Sequence, residues 1–279
     1  MKLLRYGPAG NEKPGMLDNS GRVRAIDGPD FAGEGVSLAR MAALRDMDAE
    51  SLPIVGNPGR IGACLASVSN FYCIGLNYAR HAAETGAAAP TEPILFSKAG
   101  SALSGPYDPV VIPRNSTKSD WEVELGVVIG REALYVEESE ALDHVSGYCV
   151  VNDVSERAFQ IEMGGQWIKG KSAPTFGPTG PWLVTADEVP NPQNLALKLS
   201  VNGELLQNSS TDDMIFPVAA IISYMSRFMK LLPGDIIATG TPAGVGMGLS
   251  PQRFLKAGDV IELSVEGLGE QRQDVVDAQ

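Results

Sequence analysis

The sequence predicts an α+β chain dominated by β-structure, and two observations carry that reading. Short apolar runs bounded by Gly, Pro, Asn or Asp recur through most of the chain. Helical spacing survives in few places and does not alternate regularly with the strands, as a doubly wound sheet would require. Hydrophobic residues make up 44% and charged residues 20%, a globular balance that excludes disorder for the bulk of the chain. At 279 residues it buries enough surface to need no disulfide staples.

Residues 1–66 are rich in Gly, Pro and charge. Lys2 to Tyr6 and Arg22 to Ile26 read as short strands around a Gly-bearing turn at Asp18 to Gly21. Ser37 to Asp46 carries a helical stripe through Leu38, Met41, Ala42 and Leu44. Pro53 and the Asn57-Pro58-Gly59 turn then break the pattern, so this segment reads as a small N-terminal domain, with residues 67–279 as the main domain. In the main domain, strands are predicted at Phe71 to Leu76, Glu122 to Ile129, Gly147 to Asn152, Gly180 to Val184, Ala196 to Val201, Asp235 to Thr239 and Asp259 to Val265. Asn202-Gly203 is a type I′ hairpin turn by composition. Helical spacing is confined to Tyr78 to Glu84 and Pro217 to Lys230.

Charge and cysteine content narrow the function classes. A formal charge of -12 repels phosphate backbones and anionic membranes, and the 22 Lys and Arg residues form no basic patch. No partner of either kind is therefore expected. Cys64, Cys73 and Cys149 show neither CxxC spacing nor an even count, which fits a reducing compartment. Met1 to Gly15 offers only the pair Leu3-Leu4 as an apolar core, too short for a signal peptide, so the cytoplasm is the expected location.

The segment Asp120-Trp-Glu-Val-Glu-Leu-Gly is the most informative. On a strand, Glu122 and Glu124 share one face while Trp121, Val123 and Leu125 share the other. Two adjacent carboxylates at the mouth of a buried strand repel each other unless a cation lies between them; a solvated edge explains them equally well. Asp153 follows a second buried-looking strand, either as a cap or as a third oxygen ligand. Three carboxylates without nearby His or Cys select a hard ion, Mg²⁺ or Mn²⁺, with Ca²⁺ also admitted. His81 and Glu84 lie three apart on a helical segment, as a water-activating pair or as a surface ion pair. Lys171 falls in a Gly- and Pro-rich stretch that reads as a rigid loop, and Thr241 in a Gly-rich loop that can meet an anion.

These pieces, taken in order, resemble the fumarylacetoacetate hydrolase family. The shared features are a His-x-x-Glu segment, a Trp-Glu-x-Glu strand, an Asn-Asp-x-Ser-x-Arg motif, a Gly-Lys-Ser…Pro-x-Gly-Pro loop and a Thr-Gly-Thr-Pro-x-Gly-Val-Gly loop. The resemblance runs from Phe71 to the C-terminus, and the N-terminal residues resemble the small extra domain of longer bacterial members.

The resemblance implies a β-sandwich roll with flanking helices, usually a homodimer. It implies a metal held by Glu122, Glu124 and Asp153, Mg²⁺ first among the hard ions. His81 and Glu84 match the water-activating dyad, Lys171 the oxyanion lysine, Arg157 and Gln160 substrate-contacting positions, and Thr241 a threonine near the substrate carboxylate. Fumarylacetoacetate hydrolase itself carries a further Asp seven residues before the lid histidine; here that position is Ile74. The expected activity is hydrolytic C–C cleavage of a small β-diketo acid of the acylpyruvate type, with a 2,4-diketo-3-deoxy sugar acid as the favoured subclass. The alternatives are decarboxylation of an oxaloacetate-type acid, a ureidoglycolate lyase-like reaction, or a non-enzymatic carbohydrate-binding module.

Overall fold

A computed structural model describes residues 1–84, 86 and 88–279. Its largest sheet runs in the order Val23–Ala25, Lys13–Leu17, Lys2–Tyr6, Gly177–Thr185, Val145–Asn152, Val123–Ile129, Ile236–Ala238, Phe71–Gly75, Ile94–Lys98, and Leu103–Ser104 pairs beside Gly177–Thr185. A second sheet runs Glu204–Ser210, Ala196–Val201, Val260–Val265, Gly269–Asp277, Val110–Ile112. Helices are few and short, Leu38–Arg45 and Val218–Ser226 being the longest α-helices among the described residues. The fold is therefore β-rich, as predicted.

Val123–Ile129 organises the molecule because it is buried along its whole length. Val123, Leu125, Val127 and Ile129 join the core shared with Leu197, Leu199, Ile261 and Leu263 of the second sheet. Val128, on the other face, joins a second core with Leu3, Met16, Phe31, Met41 and Leu44. A strand covered on both faces reads as a continuous apolar run, which is what Leu125 to Ile129 shows. The first 66 residues join the rest through the sheet itself: Lys2 and Leu3 pair with Val184 and Leu183.

Local chemistry explains several boundaries. Ser37 caps the helix Leu38–Arg45 by accepting from the Arg40 N–H. Asn202 and Gly203 both have positive φ, 54° and 78°, as a type I′ turn demands. Among the strands that the sequence does not signal are Lys13–Leu17, Ile94–Lys98, Val110–Ile112 and Gly269–Asp277. In the last, two of the three inward positions, Gln271 and Gln273, are buried polar residues, and only Val275 is apolar, so apolar alternation cannot be seen. Gln271 Nε2 donates to the Val150 and Gly180 carbonyls at 2.8 and 2.9 Å, supplying by side chain the bonds that an apolar residue could not.

Candidate active site

The strand pleat places Glu122 and Glu124 side by side on one face, and Asp153 arrives at the end of the neighbouring strand Val145–Asn152. All three are buried, and one carboxylate oxygen from each lies within 4.8 Å of the others. They line or underlie a cavity of about 190 Å³ whose wall also includes His81, Arg157, Gln160, Lys171 and Thr241. Among the predicted residues, Glu84 and Asp153 do not line this cavity; each sits behind one that does.

Ion pairs tie the acids down. Arg157 donates through Nη2 to Glu122 Oε1 at 2.6 Å and through Nε to Asp120 Oδ2 at 2.8 Å. Lys171 Nζ bridges Glu122 Oε2 and Asp153 Oδ2, both at 2.7 Å. The other oxygen of Asp153 accepts from Lys98, a wholly buried lysine that also donates to the Val154 carbonyl at 3.0 Å. Glu124 alone of the three has no ion pair among the described residues; its Oε2 accepts from the Gly240 N–H at 2.8 Å.

The electrostatics follow this wiring. Four carboxylates, Asp120, Glu122, Glu124 and Asp153, face three cations, Lys98, Arg157 and Lys171, leaving one negative charge uncompensated. Burial opposes ionisation of Glu122, but Lys171 and Arg157 outweigh it and hold the carboxyl below its ordinary range. Burial, with Asp153 and Glu122 adding to it, pushes Glu124 well above. Burial also works against the charge on Lys171, yet Asp153 and Glu122 more than offset it and keep the ammonium protonated. Lys171 is therefore a donor and a positive charge, not a base. Two of its three hydrogens are used on carboxylates, which leaves one for a substrate oxygen.

The donor set fits a hard divalent ion. Mg²⁺, Mn²⁺ and Ca²⁺ take oxygen ligands at about 2.0–2.6 Å, so one ion can reach three oxygens this close together. Such an ion would offset the burial and the neighbouring Asp153 and Glu122 charges that push the Glu124 carboxyl up. Position 74 is a buried isoleucine on the cavity wall, so no fourth carboxylate enters there.

His81 and Glu84 lie on the short helix Ala79–Glu84, with His81 Nδ1 3.4 Å from Glu84 Oε2. Glu84 is anchored on its far side by the Gly244 N–H at 3.0 and 3.1 Å. Gly244 has φ of +107°, and a Cβ there would lie 1.9 Å from the Leu206 carbonyl oxygen, so only glycine can present that N–H.

Two local expectations change. Lys171 is the last residue of a one-turn helix, Ile168–Lys171, and not part of a rigid loop. Gly170 allows it: a Cβ there would sit 2.4 Å from the Glu156 carbonyl oxygen, where the turn packs closely. The Thr241 hydroxyl donates to the Val123 carbonyl at 2.9 Å and accepts from Gln207 at 2.8 Å, so it braces the metal-side strand as much as it faces the cavity. Lys98 is the residue that sequence reading missed. Its neighbours Ile94-Leu-Phe-Ser show no alternation, and a lysine at the end of such a run reads as solvated.

The β scaffold thus carries a buried acidic centre beside a histidine–carboxylate pair. The fumarylacetoacetate (FAA) hydrolase C-terminal family model matches residues 70–276, and the chain belongs to this family. A Burkholderia cenocepacia protein named as a hydrolase, with no substrate in its name, is 57% identical, and the match covers 100% of both chains. Among solved structures, fumarylacetoacetate hydrolase from Exiguobacterium antarcticum is 36% identical, with TM-score 0.88 over 100% of both chains. Maleylpyruvate hydrolase from Sphingobium sp. SYK-6, in complex with manganese(II) and pyruvate, is 28% identical, with TM-score 0.81 over 100% of both chains. A 5-carboxymethyl-2-hydroxymuconate delta-isomerase from Mycobacterium smegmatis is 30% identical, with TM-score 0.78 over 100% of both chains. The family is one of enzymes, and these neighbours include both hydrolases and an isomerase. Among the described residues, no helix is long and apolar enough to cross a membrane.

Proposed function

We propose that the protein is a divalent-metal-dependent hydrolase that cleaves a carbon–carbon bond in a β-diketo acid of the acylpyruvate type. One observation carries the reading: His81, Lys171, Glu122 and Glu124 converge on a single cavity of small-molecule size. A base, an ammonium and an acidic metal site around one small substrate are what such a cleavage needs. Glu122, Glu124 and Asp153 would hold the ion, Mg²⁺ first. When bound it supplies a fixed positive charge for the substrate's carboxylate and 2-oxo oxygen.

His81, oriented by Glu84, takes a proton from water, and the water oxygen bonds to the C4 carbonyl carbon. The remaining N–H of Lys171 meets the alkoxide that forms, a contribution of about 3–4 kcal/mol by analogy with an oxyanion donor. The C3–C4 bond then breaks, its electron pair leaves with the three-carbon fragment, and the proton on His81 passes to C3. The products are pyruvate and a carboxylic acid. Arg157 and Gln160 line the cavity and hold each other at 3.1 Å, which keeps the guanidinium aimed at Glu122.

Isomerisation, decarboxylation of an oxaloacetate-type acid or a ureidoglycolate lyase-like reaction would use the same acidic centre without a water-derived hydroxide. The isomerase among the structural relatives favours keeping that second reading in the test. A panel of acylpyruvates, oxaloacetate, ureidoglycolate and 5-carboxymethyl-2-hydroxymuconate assayed with Mg²⁺ or Mn²⁺ distinguishes them. Acylpyruvate cleavage is expected to dominate; turnover of oxaloacetate or ureidoglycolate alone would overturn the proposal.

A further inference from the structure

Resting on that reading of the site, we propose that the acyl group of the substrate is short, uncharged and apolar at its far end, and that Phe96, Trp167 and Ile161 select it. The starting point is Lys171, which the attacked carbonyl must approach. Its Nζ lies 5.0 Å from the centroid of the Phe96 ring, so the group attached to that carbonyl meets Phe96 next. Phe96 in turn packs edge-on against Trp167, with ring centroids 5.1 Å apart and planes at 62°. Ile74, Leu76, Ile161 and Met247 complete that part of the wall. Trp167 is seated there by Gly75, where a Cβ would lie 2.5 Å from the indole ring.

Among the described residues, the cavity wall offers no Arg or Lys that is not already paired with a carboxylate. Arg157 and Lys171 are the positively charged residues that line it among those described, and both are engaged. Arg157 spends its Nε, Nη1 and Nη2 on Asp120, Gln160 and Glu122, and Lys171 spends two hydrogens on Glu122 and Asp153. Of the neighbouring cations, Lys98 is buried against Asp153, Lys169 turns to the Met163 carbonyl, and Arg80 is highly exposed with its Nε 3.9 Å from Asp213. A second carboxylate at the end of the acyl chain would be buried against aromatic and aliphatic carbon without a partner, an arrangement that costs far more than it returns. A heavily hydroxylated chain meets the same wall, where Gln160 is the single uncharged amide. The wall therefore favours an aliphatic tail over a dicarboxylate of equal length.

Binding of matched 2-oxo acids to the Mg²⁺-loaded protein tests this without turnover. Calorimetry with 2-oxohexanoate and 2-oxoadipate, which differ only in a terminal methyl against a carboxylate, should give about tenfold or greater preference for the uncharged acid, and acylpyruvates of the two kinds should differ about 100-fold or more in kcat/KM. Ile161 is 51% exposed at the rim, so Ile161→Arg can place a guanidinium there without disturbing the core. That variant should bind 2-oxoadipate about tenfold more tightly. Equal or tighter binding of 2-oxoadipate by the unaltered protein overturns this proposal and leaves the diketo-acid reading standing. If neither acid binds and no acylpyruvate is cleaved, both fall.

Discussion

Replacing Lys98 by methionine isolates the one cation of the site that neither lines the cavity nor meets substrate. Methionine keeps most of the buried stem and removes the ammonium, leaving Asp153 Oδ1 and the Val154 carbonyl without their donor. Breaking one side of a buried ion pair costs about 3–5 kcal/mol. Lys171 still donates to Asp153 Oδ2 at 2.7 Å, so the lower end, about 3 kcal/mol, applies. For a chain of this size each kcal/mol moves the midpoint by about 2–4 °C, so the metal-free variant should melt about 6–12 °C lower. The carboxylate cluster of the variant is also one unit more negative, and a divalent ion then compensates more of the loss. Scanning calorimetry with chelator and with saturating Mg²⁺ reads both effects. The metal-induced rise should be several degrees larger in Lys98→Met than in the parent. A metal-free midpoint unchanged from the parent, or equal metal-induced rises, would refute the assigned role of Lys98.

Other consequences follow from the same geometry. Glu124→Gln should abolish metal binding by calorimetry and turnover together; a variant still active in chelator would end the metal hypothesis. Burial and the neighbouring acids hold Glu124 above its ordinary range, so protons compete with the metal there. Mg²⁺ affinity should therefore rise with pH and binding should release protons into the buffer, whereas a flat profile would contradict this. His81→Ala should lower kcat by about 10²–10⁴ with metal affinity nearly unchanged; unfolding of the variant would instead make the histidine structural. Gly244→Ala should displace the loop that anchors Glu84 and lower kcat more than it raises KM, as a series of initial-rate measurements would show.

Much of the fold could be read from residues because local chemistry and tertiary placement agree there. Glu122 and Glu124 share a face because a strand alternates, and the apolar run after them required burial on both sides. Asn202-Gly203 formed the predicted hairpin because its backbone conformation is a local property. What escaped reading depends on distant partners. Lys98 is an ordinary lysine until Asp153 arrives from another strand, and Thr241 looks like a free hydroxyl until Gln207 and Val123 claim it. Gly269–Asp277 is polar up to Asp274 because two buried glutamines do the work of hydrogen bonding inside the sandwich. The carboxylate pair was ambiguous from spacing alone. Its meaning comes from the motif set, and the structure adds that, among the described residues, Glu124 is the member without an ion pair.

Hydrolysis adds water across a carbon–carbon bond, and isotope labelling reads that addition in the product. With Mg²⁺ and an acylpyruvate in ¹⁸O-water, the released carboxylic acid should carry one ¹⁸O in its carboxyl group, with pyruvate formed in equal amount. An isomer of the substrate with no added oxygen, formed in place of pyruvate and a carboxylic acid, would contradict hydrolysis.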